Sequence, residues 1–388
     1  MSAWLLIVGL ILFIGLVVVH EWGHFIMARR GGVEVEEFGI FFPPRLFKHK
    51  TKGGWNFTIN LLPLGGFVKM KGEHDSDTEP GSFGAASLGI KSKIMAAGVV
   101  MNLIVGVVLL MIVAWVGIPQ LVPNQFTVKS DTHIVKNEVL AIDIAKGSAA
   151  QKAGLQPDDQ IVALGPKNHE QTITDIASLQ TVTKKYAGQT VNITYRHKGD
   201  VHTVQTTLES QAVVDATKNS KNPKEYLGVA LQTYTLQRST WSAPIVAIGL
   251  TGQFTALTFQ GLGHALGGLG SAIAGAVTGN HVAREHGQTA ASSQVSGPVG
   301  IFVIMKDGSL LGYQFMLLII AVISLTLAIM NILPIPALDG GRLWLTLIMR
   351  GLKKPLTPKR EEAINATGFL ILIALIAVIT FVDVNRFF

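Results

Sequence analysis

The feature that most constrains this chain is a pair of histidines with a glutamate inside an apolar segment. Residues 3–28 form an apolar run long enough to cross a bilayer, which takes about 20 residues. Within this run, His20-Glu21-Trp22-Gly23-His24 places two imidazoles four residues apart. On a helix this spacing puts both on one face, where they can bind Zn²⁺, and Glu21 is suited to act as general base on water. A polar patch that packs helices together is the alternative interpretation.

The composition indicates a membrane protein without a nucleic-acid partner. Of the 388 residues, 48% are hydrophobic and only 15% are charged, with a mean hydropathy of +0.41. The net charge of +7 is not gathered into a basic tract, and the chain lacks a nucleic-acid-binding motif. Cysteine is absent, so any metal must be held by His, Asp or Glu.

Four apolar segments predict a polytopic α-helical membrane protein with four transmembrane helices. The predicted spans cover residues 3–28, 94–118, 310–333 and 366–383. A signal peptide is a poor interpretation of the first segment, because no basic region precedes Trp4 and the apolar run is too long. The second span carries one strongly polar side chain, Asn102, of the kind that usually packs helices by hydrogen bonding.

Two segments between the spans have β character. Residues 55–72 hold strand-forming residues around Pro63-Leu-Gly-Gly66, which predicts a membrane-associated β-hairpin or re-entrant loop. Residues 124–210 are polar and strand-patterned, with a short helix and a glycine stop at residues 147–154. This stretch resembles a single PDZ domain, which binds peptides by strand addition. The predicted divisions are an N-terminal membrane half (1–118), the PDZ domain (124–210), a connector (211–309) and a C-terminal membrane half (310–388).

The third metal ligand is predicted from a broken helix end. Pro334 and Pro336 must end the third span. Asp339 therefore lies at membrane depth in a segment without regular secondary structure, and such a segment is tolerated there only around a site or cavity. The Lys- and Arg-rich segments 29–93 and 350–360 predict a cytoplasmic location for both. The histidines and Asp339 then reach the same, cytoplasmic, side of the membrane. Taken alone, Asp339 could equally be a turn residue before two glycines.

A catalytic zinc site needs three protein ligands and one open position, and His20, His24 and Asp339 meet that need for one Zn²⁺. This assignment restricts residues 241–278, which are uncharged and could be taken for a further span. A single crossing there would deliver Asp339 to the opposite face. The segment must therefore cross the membrane zero times or twice. Its glycine, Gln, Thr and Ser content favours zero crossings, with amphipathic helices on the outer surface within the connector.

Together, these motifs resemble the site-2 protease family, and most closely its bacterial RseP/RasP type with one PDZ domain. The resemblance implies an intramembrane zinc metalloprotease that cleaves single-span membrane proteins, such as anti-sigma factors, and signal-peptide remnants. It implies substrate contacts at five positions: Asn331, Pro334, Asn102, Gly65 and Gly66. The chain departs from the family's Gly-Pro-x-x-Asn pattern, because the second span reads Gly98-Val-Val-Met-Asn102.

The expected location is a bacterial cell membrane, with both termini and the PDZ domain outside and the active site toward the cytoplasm. The PDZ groove is a candidate site for peptide C-termini. The alternative is a non-catalytic membrane receptor or scaffold that uses its PDZ domain, which would leave Glu21 and Asp339 without a role. A membrane-anchored protease for soluble substrates would place its His-Glu motif after a span rather than within one.

Overall fold

The computed structural model describes residues 2–220, 222–282, 285–286, 289, 297–354 and 356–387, and it forms two compact units. The helical unit comprises residues 1–116, 126–128 and 241–388, and the inserted unit comprises residues 117–125 and 129–240. The helices are α1 (Ser2–Arg30), α2 (Leu88–Val116), α3 (Ala149–Lys152), α4 (Ile176–Lys185), α5 (Gln211–Thr217), α6 (Ala243–Thr278), α7 (Pro298–Gly308), α8 (Tyr313–Ile332), α9 (Asp339–Gly351) and α10 (Pro358–Phe387). The strands are β1 (Val35–Lys50), β2 (Asn56–Met70), β3 (Ile118–Pro119), β4 (His133–Ile144), β5 (Gln160–Gly165), β6 (Gln171–Thr172), β7 (Thr190–His197), β8 (Asp200–Thr207) and β9 (Val229–Arg238).

Within the described residues, five helices are long and apolar enough to cross a membrane: α1, α2, α6, α8 and α10. Four of them correspond to the four predicted spans, so the chain is a multi-pass membrane protein. The second span begins six residues earlier than predicted, at Leu88, and ends at Val116, before Gly117 in a left-handed conformation (φ +120°). The last span runs past both predicted ends.

The fifth apolar helix, α6, lies in the predicted connector. It is one continuous helix of 36 residues, so the prediction of several helices was wrong, and its location on the outer surface stays a prediction. Hydrogen bonds of Thr251 and Thr258 to carbonyls one turn back satisfy its scattered hydroxyls, so these polar side chains do not interrupt it. Residues 290–296 of the connector lie outside the described part of the chain.

Small residues let the helices of the helical unit approach closely. A Cβ on Gly106 of α2 would lie 2.6 Å from Leu325 Cδ2 of α8, and a Cβ on Gly9 of α1 would lie 2.4 Å from Met316 Sδ. Such contacts provide van der Waals packing, which is what holds helices together where lipid is as apolar as the side chains. The Ser324 hydroxyl also donates to the Asn102 carbonyl at 2.7 Å.

The predicted β-loop at residues 55–72 is half of a larger antiparallel sheet. Residues 35–40 pair with residues 66–70 on one side, and residues 37–40 also pair with residues 56–59 on the other. Residues 45–50 then pair with residues 56–60. The sequence did not predict β1, because Pro43 and Pro44 interrupt it and obscure the strand pattern on both sides.

An aromatic cluster fixes this sheet against α1. Phe25 of α1 stacks with Trp22 at 5.0 Å between ring centroids and meets Phe38 of β1 at 5.8 Å and Trp55 at 4.7 Å. Phe25 and Phe38 are both buried. The sheet is therefore held beside the half of α1 that carries His20 and His24.

The inserted unit is a twisted antiparallel sheet in the order β3-β9-β4-β5-β7-β8, with β6 on β5. Its core is aliphatic: Val139, Ile161, Leu164, Val191 and Ile193 are almost completely buried. The short helix predicted within residues 147–154 is α3. Ser148 caps it by accepting from the Gln151 N–H, and Gly154 (φ +82°) follows it.

The unit is larger than the predicted segment 124–210. Strand β9 pairs with β4 along its whole length, from His133 opposite Arg238 to Ile144 opposite Val229. In the sequence, β9 is separated from the other strands by α5 and a Lys- and Asn-rich stretch, so it was interpreted as part of the connector. Long-range pairing, which no local pattern reveals, places it in the sheet.

Candidate metal centre

Three predicted ligands from opposite ends of the chain meet in the helical unit. His20 and His24 lie one turn apart on α1, and Asp339 is the first residue of α9. Asp339 Oδ2 lies 2.9 Å from His20 Nε2 and 3.1 Å from His24 Nε2, and the two Nε2 atoms are 3.3 Å apart. Both imidazoles are buried. These side chains could hold a metal ion together.

The triangle of donor atoms fits zinc. Ligand atoms about 2.0–2.1 Å from a tetrahedral Zn²⁺ lie about 3.3 Å from one another. The separations of 2.9, 3.1 and 3.3 Å therefore need only small adjustments to surround one ion. Two imidazoles with one carboxylate are also a donor set typical of catalytic zinc, which keeps a fourth position open.

Groups on α2 fix the orientation of both imidazoles. His24 Nδ1 donates to the Ile94 carbonyl oxygen at 2.8 Å, which leaves the Nε2 lone pair for a metal. His20 Nδ1 lies 3.2 Å from Nδ2 of the buried Asn102, whose Oδ1 has no hydrogen-bond partner among the described residues. Turned by 180°, the Asn102 amide offers Oδ1 to a protonated His20 Nδ1. That arrangement satisfies Oδ1 and also frees His20 Nε2 for a metal.

Asp339 is delivered by a short turn that only glycine permits. Helix α8 ends at Ile332, and the chain passes through Pro334, Pro336 and Ala337 (φ +72°) before α9 begins. A Cβ on Gly340 would lie 2.4 Å from Leu333 O, and a Cβ on Gly341 would lie 2.1 Å from Ile335 O. The first turn of α9 therefore lies directly against the end of α8. This close contact requires the two glycines that follow Asp339.

Glu21 lies on α1 between the two histidines and next to the sheet. A Cβ on Gly66 of β2 would come within 2.9 Å of Glu21 Cγ and 3.2 Å of Gly39 O. The absence of a side chain at Gly66 therefore lets the strand lie directly against the glutamate. Residues 66–70 pair with residues 35–40 and have no second strand partner among the described residues.

Gly98 of α2 is a site residue that sequence reasoning did not select. A Cβ there would lie 2.5 Å from His20 Cε1 and 2.5 Å from His24 Nε2. Gly98 therefore leaves the space in which the two imidazoles converge. The sequence feature that could have identified Gly98 is its position four residues before Asn102. Residues four apart lie on one face of a helix, and here that is the face of α2 that meets α1.

The residues that the family resemblance implies as substrate contacts lie in different surroundings. Asn102 is buried against His20, and Gly66 lies against Glu21, with Gly65 (φ +157°) beside it. Asn331 is half-buried near the end of α8, and Pro334 is exposed in the turn that follows.

Comparison with known proteins agrees with this geometry. The model of peptidase family M50 matches residues 8–375. The chain belongs to peptidase family M50. It is 28% identical over 385 residues to a Clostridium perfringens protein provisionally named as a zinc metalloprotease, with 98% of each chain covered. It is 29% identical over 388 residues to a similarly named protein of Clostridium acetobutylicum, covering 99% of this chain and 98% of the relative. It is 25% identical over 465 residues to an Enterococcus faecalis protein provisionally named as the protease Eep, with 99% of each covered.

Membership in the M50 family makes this chain a membrane-bound zinc metalloprotease of the site-2 protease type. Its cofactor is Zn²⁺, and the cluster of His20, His24 and Asp339 is the group that could bind it. The resemblance to the site-2 protease family is thereby confirmed, and the PDZ domain stays a prediction.

Proposed function

We propose that this M50 protease cleaves single-span membrane proteins within the membrane, with His20, His24 and Asp339 as zinc ligands and Glu21 as general base. The observation that carries the proposal is the convergence of the three donor atoms within 3.3 Å of one another, with both histidines on α1 and their hydrogen-bond partners on α2, two helices of membrane-spanning length. A site inside such helices is reached most directly by a substrate that is itself in the membrane.

The metal and the Glu21 carboxylate have different roles in the proposed reaction. When bound, Zn²⁺ supplies a Lewis acid that polarises the scissile carbonyl and acidifies water. Glu21 accepts the proton of the attacking water and returns it to the amide nitrogen as the C–N bond breaks. Asn102 and the Ile94 carbonyl hold the two imidazoles in the orientation that metal binding requires.

The sheet of β1 and β2 can meet a second requirement of the reaction, which is hydrogen-bond partners for the unwound substrate. A helical peptide bond in lipid is hydrogen-bonded within its own helix, so it must unwind before attack, and its freed polar groups need new partners. The edge at residues 66–70, which includes Gly66 beside Glu21, can pair with an extended substrate segment. Gly65, Asn331 and Pro334 are proposed as further substrate contacts.

The positive-inside rule supports a location in a bacterial cell membrane with the metal centre toward the cytoplasm and both termini outside. The proposed substrates are anti-sigma factors and signal-peptide remnants. The inserted unit is proposed to be a PDZ domain. A cavity of about 270 Å³ beside α4 and β9, lined by Leu179, Tyr226, Val229 and Leu231 among others, would accept a peptide C-terminus.

The test is Glu21→Gln in the full-length protein, with cleavage of a single-span substrate and bound zinc measured together. We expect zinc to be retained and cleavage to fall by about 10²–10⁴-fold, the usual contribution of a general base. Glu36→Gln is the control, because Glu36 is exposed and paired with Lys69 at 2.8 Å. Zinc lost with Glu21 but kept in Asp339→Asn would contradict the assignment of roles. Full function in Glu21→Gln would favour a non-catalytic receptor.

A further inference from the structure

A buried cluster of charged side chains lies beside the metal centre and takes no part in the chemistry above. Its four members come from different segments: Asp75 between β2 and α2, Lys91 on α2, Arg342 on α9 and Glu361 on α10. Lys91 is completely buried and Glu361 is 3% exposed. Buried charges are unfavourable unless each is paired and hydrogen-bonded, so the arrangement needs a reason.

The four residues form one continuous chain of contacts. The Lys91 ammonium pairs with the Asp75 carboxylate and donates to the Asp75 carbonyl at 3.2 Å. The Asp75 backbone N–H donates to Glu361 Oε2 at 3.1 Å. Arg342 Nε forms an ion pair with Glu361 Oε1 at 3.4 Å, and the Arg342 guanidinium donates to the Glu73 carbonyl. Lys91 and Arg342 therefore pair with Asp75 and Glu361 in the more buried part of the cluster, and the more exposed Arg350 and His74 lie 3.9 Å from Asp75 Oδ2 and 3.8 Å from Glu361 Oε2.

Each end of this chain of contacts lies one helical turn from the metal centre. Arg342 is three residues after Asp339 on α9. Lys91 is three residues before Ile94 on α2, and the Ile94 carbonyl accepts the Nδ1–H of His24 at 2.8 Å. On a helix, residues three apart are neighbours. The cluster thus joins the turn that delivers Asp339 to the turn that orients His24.

We propose that Arg342, Glu361, Asp75 and Lys91 are positioning residues that set the distance between the Asp339 carboxylate and the His24 imidazole. They touch neither the substrate nor the metal. The proposal rests on the proposed zinc site and extends it. Partners that hold metal ligands in place typically contribute about 10–100-fold to metal affinity. A cluster that only stabilised the fold would leave the affinity of the folded protein unchanged.

The test compares Glu361→Gln with its neighbour Glu362→Gln in purified full-length protein. Glu362 has a side chain that is 65% exposed and pairs with His74 at 3.3 Å. Zinc affinity is measured by competition with a chelator, and site geometry by the absorption spectrum of bound Co²⁺, which reports coordination geometry. We expect zinc binding about 10–100-fold weaker and an altered Co²⁺ spectrum in Glu361→Gln, with Glu362→Gln like the wild type.

Lys91→Met and Lys93→Met form a second matched pair, because Lys93 lies two residues away and is exposed. We expect the Lys91 variant to lose affinity and the Lys93 variant to keep it. If Glu361→Gln does not fold, as judged by the circular dichroism of the metal-free protein, Arg342→Lys is used. It keeps the charge but loses the planar guanidinium, and a smaller loss of affinity is expected.

Folded Glu361→Gln or Arg342→Lys protein with wild-type zinc affinity and an unchanged Co²⁺ spectrum would overturn the positioning role, even if its thermal unfolding midpoint falls. A different result would overturn the zinc site itself. In that case the wild type would fail to bind Co²⁺ at one per chain, or His24→Ala would bind it as well as the wild type. The two failures are therefore distinguishable.

Discussion

At the scale of single residues, Gly98 controls how closely α2 can approach the two histidines. Its missing side chain leaves a gap that a methyl group would fill, 2.5 Å from His24 Nε2. The backbones of α1 and α2 therefore approach each other closely at the site, and the smallest residue, glycine, is required where they meet.

We expect Gly98→Ala to reduce zinc affinity and proteolytic activity by at least about tenfold, because the imidazoles or α2 must move. Gly15→Ala is the matched control. Gly15 lies on the ligand-bearing helix α1, and a Cβ there meets nothing within 4 Å. Chelator competition and substrate cleavage measure both effects. Equal behaviour of the two alanine variants would contradict the steric argument.

The residues of the metal centre were largely predictable from sequence, whereas their supports were not. The His20, Glu21, His24 pattern has helical spacing, and the two prolines before Asp339 mark a forced break, so local rules suffice. Asn102 was expected to join helices by hydrogen bonding, and it does so between α2 and α1, but the sequence did not predict that its partner is His20. The Arg342–Glu361 contact joins residues on separate helices, which no periodicity reveals.

At the scale of elements, the turn between α8 and α9 determines where Asp339 lies. The turn is tight because Gly341 lets the start of α9 rest on the Ile335 carbonyl, where a Cβ would lie only 2.1 Å from the oxygen. This backbone contact therefore fixes the place of the Asp339 backbone at the start of α9.

We expect Gly341→Ala to displace the first turn of α9 and to lower zinc binding and activity by at least about tenfold. Gly351→Ala, at the other end of α9, is the control, because a Cβ there has open space. Zinc content after dialysis against a weak chelator distinguishes the two. Retention of zinc by Gly341→Ala would show that the turn can open without moving Asp339.

The strands show where local sequence patterns are insufficient. The segment around Gly65 and Gly66 was predicted to be a strand from its alternation, but its partner β1 carries two prolines and pairs on both sides through residues 37–40. Strand β9 was likewise assigned to the connector, because its partner β4 lies about 90 residues earlier in the sequence. The sequence therefore did not predict β1, whose prolines obscure the strand pattern, or the place of β9, whose partner is distant in the sequence.

At the scale of the whole molecule, the inserted unit is proposed to select substrates. If its groove or its bulk restricts access, replacing residues 129–240 with a short flexible linker should broaden cleavage to substrates with intact outer domains. The measurement is cleavage of paired substrates, with and without a folded outer domain, in cells. Unchanged selectivity would indicate that the unit is a passive spacer.

The number of membrane crossings can be inferred from which part of each long helix lies near the metal centre. α2 carries Ile94, Gly98 and Asn102 near the site and continues for about 21 Å beyond Asn102 before it ends. α10 starts near the site, where Gly368 lies against Pro336, and ends where Asp383 accepts the Gly297 N–H at 2.8 Å. Val116 and Gly297 therefore lie toward the end of the helical unit that is remote from the metal centre.

A segment that begins and ends on one side must cross the membrane an even number of times, so α6, which is one continuous helix, should not cross despite its apolar composition. Asn280→Cys, just after α6, should react with a membrane-impermeant thiol reagent added outside intact cells, as should Lys146→Cys in the inserted unit. Lys52→Cys, in the loop between β1 and β2, should react only after permeabilisation. The native chain gives no background, because it contains no cysteine. If Asn280→Cys behaved like Lys52→Cys, α6 would be a fifth span, and the segment after it would have to return across the membrane to bring Asp339 to His20 and His24.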